Sequence, residues 1–247
     1  MEYLLYITVV GFIAGVFGTL GGALVVIGIR EVKAKFLSVI LGISAGVMTV
    51  IVFLDLIPEA RDEVSIWTAL LGLMLGVALI YLLDISFPHQ HVVSVEDGDN
   101  KYLKAGLLLA VGIALHNLPE GLAIGAGYTA DRAMGFRLAL LISLHNFPEG
   151  MAVATTLGIA GIKNARIALI TILAGVPMGV GAFFGAYIGR ISALALSLAL
   201  GFAAGAMLYI TFEELVPDAH EKAEGHIPIF GIIAGVILGI VLIGILH

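Results

Sequence analysis

Two stretches of the chain carry the same metal-binding set of side chains: His116-Asn117-Leu118-Pro119-Glu120-Gly121 and His145-Asn146-Phe147-Pro148-Glu149-Gly150. On a helix, at about 100° per residue, a glutamate four residues after a histidine lies about 40° round from it, and the intervening asparagine about 100°. Each copy therefore presents an imidazole, a carboxylate and an amide on one arc, while Leu118 points away. Thr156 returns to about 20° from His145 and extends the second stripe. His116, Glu120, His145 and Glu149 make a set of two imidazoles and two carboxylates. That set suits tetrahedral Zn2+, and Fe2+, Mn2+ and Cd2+ accept the same donors. With no cysteine in the chain, disulfides, thiolate zinc sites and iron–sulfur clusters are excluded.

The elements that position these groups are apolar. The chain is 60% hydrophobic and 12% charged, whereas soluble domains carry roughly 25% charged residues. A mean hydropathy of +1.12 therefore describes a chain whose solvent is largely lipid. The net charge of −6 does not argue for a nucleic-acid partner, because many of the acids lie inside apolar runs. Eight segments reach the roughly 20 apolar residues that a span requires, at about 3–29, 36–59, 67–86, 103–127, 136–160, 165–188, 193–216 and 228–246. The first lacks a basic leader and is too long for a signal core, so it reads as a span. The expected fold is all-α: one polytopic membrane domain over residues 1–247, in which eight helices join through short connections. The exception is a loop at about 87–102.

An even number of spans puts both termini on one side. Arg30, Lys33, Lys35, Lys101, Lys104, Lys163, Arg166 and Lys222 fall in one set of loops, and Arg61, Arg132, Arg137 and Arg190 in the other. The positive-inside rule then places both termini outside and the long loop in the cytoplasm. In that loop His89 and His91, with Glu96, Asp97 and Asp99, read either as a chelating patch or as a plain solvated loop.

The chain also repeats itself. Span four (ALHNLPEGLAIG) matches span five (SLHNFPEGMAVA), and span two from Ala45 (AGVMTVIVFLDLIPEA) matches span seven from Ala204 (AGAMLYITFEELVPDA). Both pairs lie an odd number of spans apart, so their members cross in opposite senses. This is the pattern of inverted repeats with a site near the midplane. Asp55 and Glu214 are equivalent in the repeat. They read as route ligands between the centre and the two mouths, the alternative being acids that snorkel at helix ends.

An ionisable group at the bilayer centre costs about 2.5–3.5 kcal/mol on insertion scales. A divalent cation offsets that cost for two histidines and two glutamates together. Pro119 and Pro148 each remove one helix hydrogen bond and release the carbonyls of Leu115 and Leu144, which calls for a wet or metal-lined surrounding. A metalloprotease would want His-Glu-x-x-His on one helix, which this sequence does not contain.

Paired HNxPEG motifs on consecutive spans, in an eight-span chain with a histidine-bearing third loop, resemble the ZIP (Zrt/Irt-like protein) family of divalent metal transporters, in its prokaryotic branch. The resemblance covers essentially the whole chain. It implies a three-two-three helix arrangement in the cell membrane and uptake toward the cytoplasm. Zinc is the leading substrate it implies, with Fe2+, Mn2+, Co2+ or Cd2+ as others. It makes His116, Glu120, His145 and Glu149 similar to a primary site, and Asn117 and Asn146, with the bridging glutamates, similar to a secondary one. Two positions depart from the pattern. Val176, before Pro177, stands where the family often has Glu, and Asn146 stands where some members have Asp. One strong site is expected in consequence. Alternating access with proton displacement from Glu120 and Glu149 is the expected mechanism; a channel-like pore and an intramembrane zinc hydrolase are the alternatives. A homodimer is compatible with the small-residue face of Gly11, Gly15, Gly18 and Gly22, which serves contacts within one chain equally well.

Overall fold

The computed structural model describes residues 1–29, 32–86 and 99–246. Among these, all regular structure is helical and falls into eight rods. They are α1 (Glu2–Ile29), α2 (Ala34–Glu63), α3 (Ile66–Ser86), α4 (Asp99–Ala130), α5 (Arg132–Ile159), α6 (Asn164–Gly189), α7 (Ala193–Lys222) and α8 (Ile227–Leu246). Seven are long and apolar enough to cross a membrane. The eighth, α5, is long enough, but His145, Asn146, Pro148 and Glu149 sit in its middle and dilute its hydropathy. α4 carries the same motif but still qualifies.

The ends of the rods are written in the sequence. The Asp131 carboxylate accepts from the Met134 N–H at 2.9 Å and caps α5, and the Ser192 hydroxyl accepts from the Ala195 N–H at 3.1 Å and caps α7. Both satisfy amides that have no partner within the helix. Gly161, at φ 73°, turns the chain out of α5 in a left-handed conformation that a side chain would resist.

Glycine fixes how closely the helices approach, and the contacts recur at one offset. A side chain on Gly46 would strike the carbonyl of Ile232, and one on Gly205 the carbonyl of Leu73. Adding 159 to residues 46 and 73 gives 205 and 232. Gly76 against Phe202 and Gly235 against Ile43 obey the same offset, as do Gly22 against Phe147 and Gly181 against Leu118 once the central pair is shifted by 29, from 118 to 147. The helix pairings follow suit. α4 packs on α6 as α5 packs on α1, α2 on α8 as α7 on α3, and α4 on α7 as α5 on α2, while α4–α5 and α1–α6 map onto themselves. The repeat first seen in two segments thus extends to the backbone contacts.

α2 and α7 each widen to a π-helical stretch, Ile51–Leu56 and Thr211–Leu215. Pro58 and Pro217 follow at the start of the next α-helical segment. A proline cannot donate to the carbonyl four residues back, which favours the wider pattern. Asp55 and Glu214 sit in these two stretches. By contrast, α4 and α5 continue as helix through Pro119 and Pro148, so the expected loss of one hydrogen bond does not interrupt either rod.

Candidate metal centre

α4 and α5 lie against each other and bury all six motif side chains. His116, Asn117, Glu120, His145, Asn146 and Glu149 are each 5% exposed or less. Glu120, His145 and Glu149 offer ligand atoms that all lie within 4.8 Å of one another. His145 is at the middle of this group: its Nε2 is 3.2 Å from Glu120 Oε1 and 3.4 Å from Glu149 Oε1.

The fourth expected ligand turns elsewhere. His116 Nε2 is 3.0 Å from Glu214 Oε1 on α7. The six motif residues are therefore joined by a seventh, read from the sequence only as a route residue. The signal for it was its repeat partnership with Asp55, which marked both positions without saying what either would touch. The centre is built by α4, α5 and α7.

The hydrogen-bond inventory shows what this arrangement can hold. Glu120 Oε2, Glu149 Oε2, both ring nitrogens of His145 and Asn146 Oδ1 are buried without a hydrogen-bond partner. His145 Nε2 is within ion-pair distance of both glutamates but aligned for a hydrogen bond with neither. Each unpaired buried group costs on the order of 1–3 kcal/mol, and charged ones more. Lone pairs of carboxylate and imidazole converging on one small volume are the donor set of a divalent cation, and binding one removes the penalty for several atoms together.

The asparagines are differently engaged. Asn146 Nδ2 donates to Asn117 Oδ1 at 2.6 Å, and Asn117 Nδ2 donates to the Ala174 carbonyl of α6 at 2.9 Å. Asn117 thus spends both ends of its amide on protein, and Asn146 keeps only its oxygen. Ser44, on α2, donates to the His145 carbonyl at 2.9 Å and ties α2 to α5 at the level of the centre.

Of the remaining expected residues, Asp55 is buried but faces Arg137 of α5. Arg137 Nη2 is 2.7 Å from Asp55 Oδ1, and Arg137 Nε donates to Asp55 Oδ2 at 3.3 Å. Sequence reasoning missed Arg137, which had served only to count loop charges. Its place inside an apolar segment was the available signal, since an intramembrane charge needs a partner. Thr156 returns its hydroxyl to the Ala152 carbonyl of its own helix at 3.0 Å. His89 and His91 lie outside the described residues.

The chain is similar to known proteins along most of its length. A family model described as ZIP Zinc transporter matches residues 88–247. A zinc transporter ZupT from Chlorobium luteolum is 32% identical over 234 residues, covering 87% of this chain and 88% of the relative. The ZupT zinc transporter of Corynebacterium glutamicum is 34% identical over 234 residues, covering 87% and 89%. That of Clostridium perfringens is 31% identical over 242 residues, covering 85% of each chain.

Proposed function

The chain belongs to the ZIP family of zinc transporters, and we propose that it takes zinc into the cytoplasm through a midplane site built on α4 and α5 and exposed alternately to the two sides. The observation that carries this reading is the set of orphaned ligand atoms on Glu120, His145 and Glu149. Nothing among the described residues satisfies them, and a cation that can also leave would.

All eight rods span the membrane in this reading, α5 included, because its polar middle faces the partner helix α4 and not lipid. The contacts repeated between α1–α3 and α6–α8 support a three-two-three arrangement of inverted repeats, the architecture that lets one repeat move against the other around a fixed site. The loop charge bias puts both termini outside. Metal binding requires unprotonated glutamates, so arriving zinc displaces protons from Glu120 and Glu149. Fe2+, Mn2+, Co2+ and Cd2+ are further substrates that the donor set permits, and a competition series would rank them.

Radioactive zinc uptake into proteoliposomes, compared between the native chain and Glu120→Ala, tests the reading. Uptake should fall to the level of protein-free vesicles; uptake unaffected by the substitution would defeat it.

The asparagine pair sets the stoichiometry. With Asn117 bonded at both ends and Val176 where a carboxylate would be needed, a second ion has no anionic donor of its own beyond the bridging glutamates. Equilibrium dialysis is expected to find one tightly held zinc per chain. The double substitution Asn146→Asp, Val176→Glu should add a second, and two comparably tight ions in the native chain would refute this assignment.

A further inference from the structure

The internal repeat is obeyed by the backbone and broken by four side chains. Shifting by 159 carries Asp55 onto Glu214, and shifting by 29 carries His116 onto His145. The counterpart of the His116–Glu214 contact, 3.0 Å, is therefore a contact between His145 and Asp55. It is absent among the described contacts: His145 lies between Glu120 and Glu149, and Asp55 is held by Arg137 through two polar contacts.

Exposure divides the same way. The Glu214 side chain is 25% exposed, whereas those of Asp55 and Arg137 are 4% and 5% exposed. The mouth at the Glu214 end is thus the more exposed of the two, and its symmetry mate is closed over by an ion pair. Arg137 lies two helical turns before His145 on α5, about 12 Å along the axis, so the seal stands between the centre and that mouth. The fold does not demand an arginine there, because the equivalent position on α4 is Leu108. Two inverted repeats that hold unlike contacts in one state exchange them in the other.

We infer that Arg137 is the latch of the mouth at the Asp55 end: its guanidinium occupies the Asp55 carboxylate while the Glu214 end is open, and its release frees Asp55 to face His145 as Glu214 withdraws from His116. This rests on the alternating-access reading. A guanidinium suits the role because it is permanently charged and grips a carboxylate at two points. It is also tethered, so an arriving divalent cation can displace it without carrying it away.

The chain has no cysteine, so a single introduced thiol reports access cleanly. Leu141, between Arg137 and His145 on α5 and fully buried, reports on the latched mouth. Asp218, four residues beyond Glu214 on α7 and partly buried, reports on the other. In reconstituted protein, a membrane-impermeant thiol reagent is applied to Leu141→Cys from the Asp55 side, or to Asp218→Cys from the opposite side. Adding Arg137→Gln should raise the first labelling rate by about fivefold or more and lower the second, since a latch biases a two-state equilibrium. Arg137→Lys, which keeps the charge but not the fork, should fall between, and it carries the same comparison if Arg137→Gln does not fold. A rise at position 141 with position 218 unchanged keeps the latch but defeats alternating access, separating the two readings. No rise at position 141, or a rise at both positions, overturns the latch.

Discussion

His145→Ala is expected to remove zinc uptake almost completely, to about 1% of the native initial rate or less, whereas His116→Ala should retain roughly a tenth. Substituting groups that merely support metal ligands costs about 10–100-fold, so loss of the ligand on which the site converges belongs at or beyond the upper end. In the proposed site His145 holds that place, with both Glu120 and Glu149 within 3.4 Å of its Nε2. Its removal also leaves the two buried carboxylates without the imidazole that lies between them. His116 is paired instead with Glu214, whose side chain is 25% exposed, so water can fill the vacated position at modest cost. Initial rates of radioactive zinc uptake, normalised to reconstituted protein, give the comparison, and equal losses from the two variants would contradict the ranking. The sequence motif alone makes the two histidines interchangeable, so this prediction belongs to the tertiary structure.

Gly150→Ala is expected to destabilise the protein by about 1–3 kcal/mol or more, as overpacking of a close-packed interior does. Gly158→Ala on the same helix should be neutral or slightly stabilising, because alanine is the better helix former by about 0.5–1 kcal/mol. A methyl on Gly150 would run into the Thr19 carbonyl oxygen of α1, and one on Gly158 meets nothing within 4 Å. The Thr19 backbone cannot easily yield, since its hydroxyl is already fastened to the carbonyls of Gly15 and Thr171 at 2.9 and 2.8 Å. Gly150 adjoins Glu149, so any shift that relieves the clash also moves a carboxylate of the proposed metal site, and uptake should fall with stability. For chains of 150–250 residues, 1 kcal/mol corresponds to about 2–4 °C in Tm. Thermal unfolding in detergent should therefore show a loss of several degrees for Gly150→Ala. An unchanged Tm would mean that α1 and α5 do not approach as closely as described.

How much of this was legible beforehand differs from residue to residue. The eight helices, the arc that carries His145, Asn146 and Glu149, and the nitrogen and oxygen donor chemistry follow from apolar length, helical periodicity and residue type. These are local properties, which is why the sequence by itself determined them. It also determined the repeat, because Asp55 and Glu214, like Pro58 and Pro217, fall at matching places in matching segments. The tertiary structure alone decided the partners. Glu214 lies 98 residues from His116 in the chain (116 to 214), and Arg137 is 82 residues from Asp55. Contacts at such separations are set by how closely the helices approach, through glycines whose role cannot be told from that of any other small residue in an apolar run. The repeat made Asp55 and Glu214 look alike. Packing placed one against Arg137 and the other against His116.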